Sequence, residues 1–175
     1  MLLYLNGTRN DKLILSADDL HIIKWFIDAS FAVHPDFKSH TGGGMTYGEG
    51  IIQSQSRKQK LNTRSSTEAE LVGVNDMSVM VLWTRLFMEA QGYEIKQNIL
   101  YQDNKSTILL EKNGKRSSSK RTRAFNIRYF FLTDQIEKGN LSVEYCPTDQ
   151  MIGDFWTKPK QGKQFQAFKK QIMGH

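Results

Sequence analysis

Ile22-Ile23-Lys24-Trp25-Phe26-Ile27-Asp28-Ala29-Ser30-Phe31 is the stretch on which the fold turns. Ile23, Trp25 and Ile27 alternate with Lys24, Phe26 and Asp28, the period-two pattern of a strand, and Asp28 falls near its end. Downstream, Pro35, Asp36 and Ser39 mark a loop, and Thr41-Gly42-Gly43-Gly44 reads as a flexible bend. Met45 to Gly50 and Ile51 to Ser56 follow as candidate strands around Gly48-Glu49-Gly50, so that three strands in succession predict an antiparallel meander. Upstream, Tyr4-Leu5-Asn6-Gly7-Thr8-Arg9 ends like a helix stopping at a glycine, and Leu13-Ile14-Leu15 could form a short strand. Residues 1 to about 15 read as the tail of something larger.

The period then changes from two to 3.6. Leu71, Val74, Met77, Val81, Leu82 and Leu86 recur at helical spacing until Gly92 supplies a stop. Ile99-Leu100-Tyr101-Gln102 predicts a short buried strand running into Asp103. Ser106 to Glu111 predicts a short helix ended at Asn113-Gly114, Arg121 to Lys138 a longer one closed by Gly139, and Leu141 to Cys146 a strand. A last helical segment begins near Asp149 or Gln150 and meets Pro159, before a polar tail with Phe165 and Phe168. The order β-β-β-α-β-α-α-β-α, without internal repeat, describes a three-layer α/β arrangement around a mixed sheet.

Composition narrows the classes. A chain of 175 residues, 39% hydrophobic and 24% charged, fits one globular domain with at most a short appendage. The single cysteine, Cys146, excludes an internal disulfide and a four-cysteine zinc cage, and suits a reducing compartment. No run approaches the roughly 20 apolar residues of a membrane span, and the N-terminus turns polar too soon for a secretory signal. The net charge of +6 is uneven. Arg57, Lys58, Lys60 and Arg64 form one cluster, and Lys112, Lys115, Arg116, Lys120, Arg121, Arg123 and Arg128 a denser one. Such runs attract polyanions, though an excess of solvated lysine has the same composition.

Four carboxylates have unusual settings. Asp28 ends an apolar strand, Asp103 follows another, Glu68 stands in the first turn of the long helix, and Asp154 stands at a helix start beside Ile152 and Phe155. Strand ends and helix starts share a rim in an α/β fold. Carboxylates meeting there repel unless cations neutralise them, and oxygen-only ligands suit Mg²⁺ or Mn²⁺. Taken singly, each residue has a plainer reading. Asp28 and Asp103 fit turns, Asp154 a helix dipole, and Ser65-Ser66-Thr67-Glu68 a capping box with the glutamate reaching back to the Ser65 amide.

Four ordered motifs narrow these alternatives. Ile27-Asp28-Ala29-Ser30-Phe31-Ala32 resembles the "DADWA" strand of ribonuclease H domains from copia-type (Pseudoviridae) LTR retrotransposon Pol polyproteins. Ser54-Gln55-Ser56-Arg57-Lys58-Gln59-Lys60 with Ser65-Ser66-Thr67-Glu68-Ala69-Glu70-Leu71 resembles that family's "W-S-K-K-Q … S-S-T-E-A-E-Y". Asp103-Asn104-Lys105-Ser106 matches "DNxS", and Gly153-Asp154-Phe155-Trp156-Thr157-Lys158-Pro159 matches "ADxxTKP". Tyr4-Leu5-Asn6-Gly7-Thr8 is similar to the "YLxGT" closing the reverse transcriptase portion.

The resemblance implies a ribonuclease H-like three-layer fold, with a mixed five-stranded sheet of three antiparallel strands and then parallel ones, flanked by helices. It implies residues 1–18 as the tail of a reverse transcriptase connection segment, 19–160 as the ribonuclease H domain, and 161–175 as a C-terminal tail or docking helix. It assigns Asp28, Glu68, Asp103 and Asp154 to two Mg²⁺ ions, replaceable by Mn²⁺, that cut the RNA strand of RNA–DNA hybrids during reverse transcription. Glu70 and Asp76 are left outside that set. The implied partners are the hybrid and the reverse transcriptase of the same polyprotein, with no membrane, and the implied location is a virus-like particle in the cytoplasm, or the nucleus. The chain departs from the pattern twice. The loop Cys146-Pro147-Thr148-Asp149-Gln150 lacks the histidine of cellular ribonucleases H, and Ala124 stands where the family often has histidine.

A ribonuclease H reads hybrid shape, 2′-hydroxyls and backbone. The expected substrate contacts are Gly43 and Gly44, where a bare backbone can approach a sugar–phosphate strand, together with Ser66 and Asn104 beside the carboxylates and Lys120, Arg121 and Arg123 as a phosphate-tracking face. A hairpin turn accounts for the glycines equally well. Trp25, Trp83 and Trp156 are expected to pack rather than stack on bases. The competing classes are a catalytically weakened hybrid-binding or connector domain, and another two-metal nuclease such as a 3′–5′ exonuclease or integrase core.

Overall fold

The computed structural model describes residues 2–114 and 126–175. Helix α1 (Leu2–Thr8) leads to a two-residue strand β1 (Ser16–Ala17). The sheet begins with β2 (Ile22–Ser30) and β3 (His40–Thr46), and after the short β4 (Gly48–Glu49) continues with β5 (Gln53–Lys58). Then follow α2 (Ser66–Ala90), β6 (Gln97–Gln102), α3 (Lys105–Asn113), α4 (Asn126–Glu137) and β7 (Ser142–Tyr145). A 3₁₀ turn (Ile152–Trp156) and α5 (Gly162–Met173) close the chain.

The five-stranded sheet has the order β5-β3-β2-β6-β7. β2–β3 and β3–β5 are antiparallel, whereas β2–β6 and β6–β7 are parallel. This is the mixed sheet expected from the sequence. β1 pairs with β4 outside it.

The alternation in β2 separates the two faces. Ile23, Trp25 and Ile27 are fully buried and join Val74, Met77 and Val81 of α2, with Leu132 of α4, in one core. That set of apolar side chains is removed from water at roughly 25 cal/mol per Å² and supplies the main force holding sheet to helices. Lys24, Phe26 and Asp28 face the other way, toward the 3₁₀ turn. α2 has the length and composition of a membrane span, contrary to the expectation for this chain, but its apolar stripe covers the sheet.

Two segments differ from the sequence reading. Gly42, Gly43 and Gly44 lie inside β3, paired on both sides, rather than in a bend. A Cβ on Gly43 would stand 2.7 Å from the Phe26 carbonyl oxygen, and one on Gly44 2.7 Å from the Trp156 ring. These glycines are required because β2, α2 and the 3₁₀ turn close on the strand from both faces. Leu13–Leu15 is not a strand; the chain forms one only at Ser16–Ala17. The segment after Lys160, expected as a tail or docking helix, forms the helix α5, anchored by the buried Phe168. Of the tryptophans, Trp25 is in the core and Trp156 covers Gly44, but Trp83 is 54% exposed and stacks on Phe87.

Candidate active site

The register of β2 and β6 creates the site. Phe26 stands opposite Tyr101 in the parallel pair, so two residues further along each strand Asp28 and Asp103 emerge side by side at the rim. The 3₁₀ turn adds Asp154 from the outer face. Oxygens of Asp28, Asp103 and Asp154 lie within 4.8 Å of one another, and Asp28 and Asp154 are buried. The turn approaches closely because Gly153 leaves only 3.0 Å between its missing Cβ and the Asp28 amide nitrogen.

The fourth carboxylate is Glu70, not Glu68. Glu68 stays at the start of α2: Ser65 Oγ accepts from the Glu68 amide at 3.2 Å, and Glu68 Oε2 accepts from the Arg64 amide at 2.6 Å. That is the capping box, displaced by one residue from the expected Ser65 amide. Glu70 is buried, takes a 3.3 Å hydrogen bond from Gln102 Nε2, and lines an open cleft of about 650 Å³ with Asp28, Asp103, Ser66, Asn104 and Lys158. A signal for it was present in the sequence. Glu70 precedes Val74 by four and Met77 by seven residues, which puts it on the buried stripe, whereas Glu68 falls off it.

Of the expected substrate contacts, Ser66 and Asn104 line this cleft. Asn104 also caps α3, its Oδ1 accepting from the amides of Ser106 and Thr107. Gly43 and Gly44 are buried beneath Met77 and Trp156, so the expectation that their backbone meets substrate is corrected. Lys120, Arg121 and Arg123, like Ala124, lie outside the described residues.

Burial dominates the electrostatics. Removal from water raises the Asp28 carboxyl to about 6, against the opposing Lys158 charge and a hydrogen bond from Thr157 Oγ1. Burial also pushes Glu70 well above the ordinary range, and the neighbouring charges of Asp28 and Asp103 add to it. At Asp154 burial pulls upward, but hydrogen bonds from Lys158 and Lys160 win and hold the group below its ordinary value. Cys146 is pushed up to about 11 by burial and by Asp103 and Asp149, so it offers no thiolate at neutral pH. In the loop where cellular ribonucleases H carry histidine, Thr148 Oγ1 donates to Asp103 Oδ2 at 3.0 Å.

Acidic groups whose charged forms are disfavoured by burial and by one another are a cation site in waiting, and an all-oxygen donor set fits a hard divalent ion. Asp28, Asp103 and Asp154 could hold one such ion, with Glu70 beside them.

No protein-family model matches the chain. It is 31% identical over 176 residues to the retrovirus-related Pol polyprotein from transposon TNT 1-94 of Nicotiana tabacum, an alignment covering 100% of this chain and 13% of that protein. The chain thus spans about an eighth of the length of that relative. Among solved structures it resembles LC11-RNase H1, isolated from compost by a metagenomic approach, with TM-score 0.57, 11% identity, and coverage of 78% of this chain and 93% of that one. A second crystal structure of LC11-RNase H1, in complex with an RNA/DNA hybrid, gives TM-score 0.53 at 12% identity over 77% of this chain and 92% of that one. The chain has the fold of these ribonucleases H and is similar along its entire length to a segment of a transposon Pol polyprotein.

Proposed function

We propose that this domain hydrolyses the RNA strand of RNA–DNA hybrids in a metal-dependent reaction, during reverse transcription of a retrotransposon. The observation that carries the reading is the convergence of Asp28, Asp103 and Asp154 within 4.8 Å at the rim of the sheet, with Glu70 lining the same open cleft as Asp28 and Asp103. LC11-RNase H1, which has the same fold, has been crystallised with an RNA/DNA hybrid. Two Mg²⁺ ions, or Mn²⁺, bound by these carboxylates would activate a water and stabilise the leaving 3′ oxygen of the phosphodiester.

The chain's own residues do the rest. Asp28, Asp103 and Asp154, with Glu70 beside them, would hold these ions. Thr157 fixes the Asp28 carboxylate through its hydroxyl, and Thr148 does the same for Asp103. Ser66 and Asn104 line the cleft and would hydrogen-bond 2′-hydroxyls beside the scissile phosphate. The basic residues Lys120, Arg121 and Arg123 would track the DNA strand. The reverse transcriptase of the same polyprotein is the proposed neighbour, joined through residues 1–18, in a cytoplasmic virus-like particle or the nucleus.

Incubation with labelled hybrid, double-stranded DNA and double-stranded RNA in Mg²⁺ tests the proposal. The expected result is cleavage confined to the RNA of the hybrid and lost in Asp103→Asn. A second reading, a hybrid-binding connector, is favoured by one observation, the absence of histidine from the loop 146–150. Salt-sensitive hybrid binding without cleavage would replace the first reading with the second.

A further inference from the structure

Asp154 is gripped by two ammonium groups of unequal freedom. Lys160 Nζ lies 2.7 Å from Asp154 Oδ2, and its side chain is only 10% exposed. It also stands 5.5 Å above the ring of Phe168, the buried anchor of α5, and is thereby fixed from behind. Lys158 Nζ lies 2.6 Å from Asp154 Oδ1 and 3.4 Å from Asp28, and its side chain is 40% exposed toward the cleft. Among the described residues, Lys158 is the cation that bridges two carboxylates of the cluster.

An ammonium and a divalent ion compete for the same oxygen lone pairs. A hard ion sits about 2.1 Å from carboxylate oxygens in the Mg²⁺ case, inside the space that Lys158 Nζ fills at 2.6 Å from Asp154. The two cannot be neighbours there without a strong like-charge contact. We propose that Lys158 is a tethered cation holding the Asp28–Asp154 position in the metal-free domain, so that the second divalent ion binds by displacing it. The inference rests on the reading of the cluster as a two-metal site. In the exchange one positive charge leaves and two arrive, while the carboxylates stay ionised. An ion held by Glu70 and Asp103 would leave Lys158 in place. Lys160, pinned by Phe168, keeps its bond to Asp154 Oδ2 and steadies that carboxylate during the exchange. Lys158 therefore tunes the affinity for the second ion and protects the metal-free site from the repulsion between Asp28 and Asp154.

Calorimetric titration of the full chain with Mn²⁺, checked by the electron paramagnetic resonance of free Mn²⁺, separates the two binding events. In Lys158→Met and Lys158→Gln the second event is expected to tighten by about tenfold, the order of one lost competing contact, with the first changed far less. The metal-free melting temperature should fall in both variants, and the rise on adding Mn²⁺ should grow. An unchanged or weaker second event in a folded variant overturns the proposal. If the wild-type chain binds no Mn²⁺, or Asp103→Asn leaves binding intact, the two-metal reading fails and this inference with it. If wild-type binding is sensitive to Asp103 but indifferent to Lys158, only this inference fails.

Discussion

Thr148 Oγ1 donates a 3.0 Å hydrogen bond to Asp103 Oδ2, tying the loop after β7 to the carboxylate that follows β6. The loop that carries histidine in cellular ribonucleases H here supplies a hydroxyl that orients an acidic group. Thr148→Ala is expected to lower hybrid cleavage several-fold, chiefly in kcat, with Thr148→Ser retaining most of it. Because Thr148 is exposed, stability should change by no more than about 0.5 kcal/mol. Equal activity of the alanine variant in steady-state assays would remove Thr148 from the site.

Glu70 and Glu68 are separable by substitution. Glu70→Gln removes a buried cleft carboxylate and should abolish both cleavage and one Mn²⁺-binding event. Glu68→Gln weakens only a capping contact, worth about 0.5–1 kcal/mol in thermal melts, and should leave cleavage near wild type. The reverse pattern would return the catalytic role to Glu68.

Asp28 is a stability cost that the metal-free fold carries. Burial raises its carboxyl from 3.8 to about 6, so the folded state binds this proton more tightly than the unfolded chain. The sign follows from linkage: the ionised group costs nothing below pH 3.8, increasingly more up to about 6, and a constant amount above. Asp28→Asn should therefore stabilise the metal-free protein at pH 7 by up to about 3 kcal/mol and eliminate cleavage. Urea denaturation at pH 7 measures it, and an unstable Asp28→Asn protein would contradict the burial argument.

Glu111 offers a second pH test, away from the cleft. It is fully buried in α3, neither carboxyl oxygen has a hydrogen-bond partner among the described residues, and burial raises the group from 4.5 to about 8. The folded state again holds the extra proton, so stability is greatest below pH 4.5 and falls as pH rises toward 8. The loss approaches about 1.4 kcal/mol per pH unit at most. Glu111→Gln should flatten the fall in stability between pH 5 and 8 relative to wild type. A variant whose denaturation midpoint tracks the wild type across that range would show that Glu111 finds a partner in solution.

Periodicity was enough for the order of elements from β2 to β7. The alternation around Trp25 and Ile27, the helical spacing from Leu71 to Leu86 and the apolar run into Asp103 are local consequences of which side chains must leave water. Asp28 and Asp103 were legible for the same reason, each standing where a buried strand reaches the rim. Asp154 depended most on its motif, since a short 3₁₀ turn has no period to read. The glycines of β3 looked like a bend because composition records flexibility and not crowding, whereas Met77 and Trp156 leave no room there for a side chain.

Local patterns of apolar and polar residues are enough to locate the strand-bound aspartates and the side of α2 that meets the sheet. Tertiary structure decided which glutamate joins them. Glu68 and Glu70 are two residues apart, hence roughly 200° apart around a helix of 3.6 residues per turn. Local chemistry favours Glu68, which completes a cap, but the packing of Leu71, Val74 and Met77 on β2 and β3 turns Glu70 into the cleft. It also brings Lys158 and Lys160 onto Asp154, because attraction between charges depends on distances that only the folded chain sets.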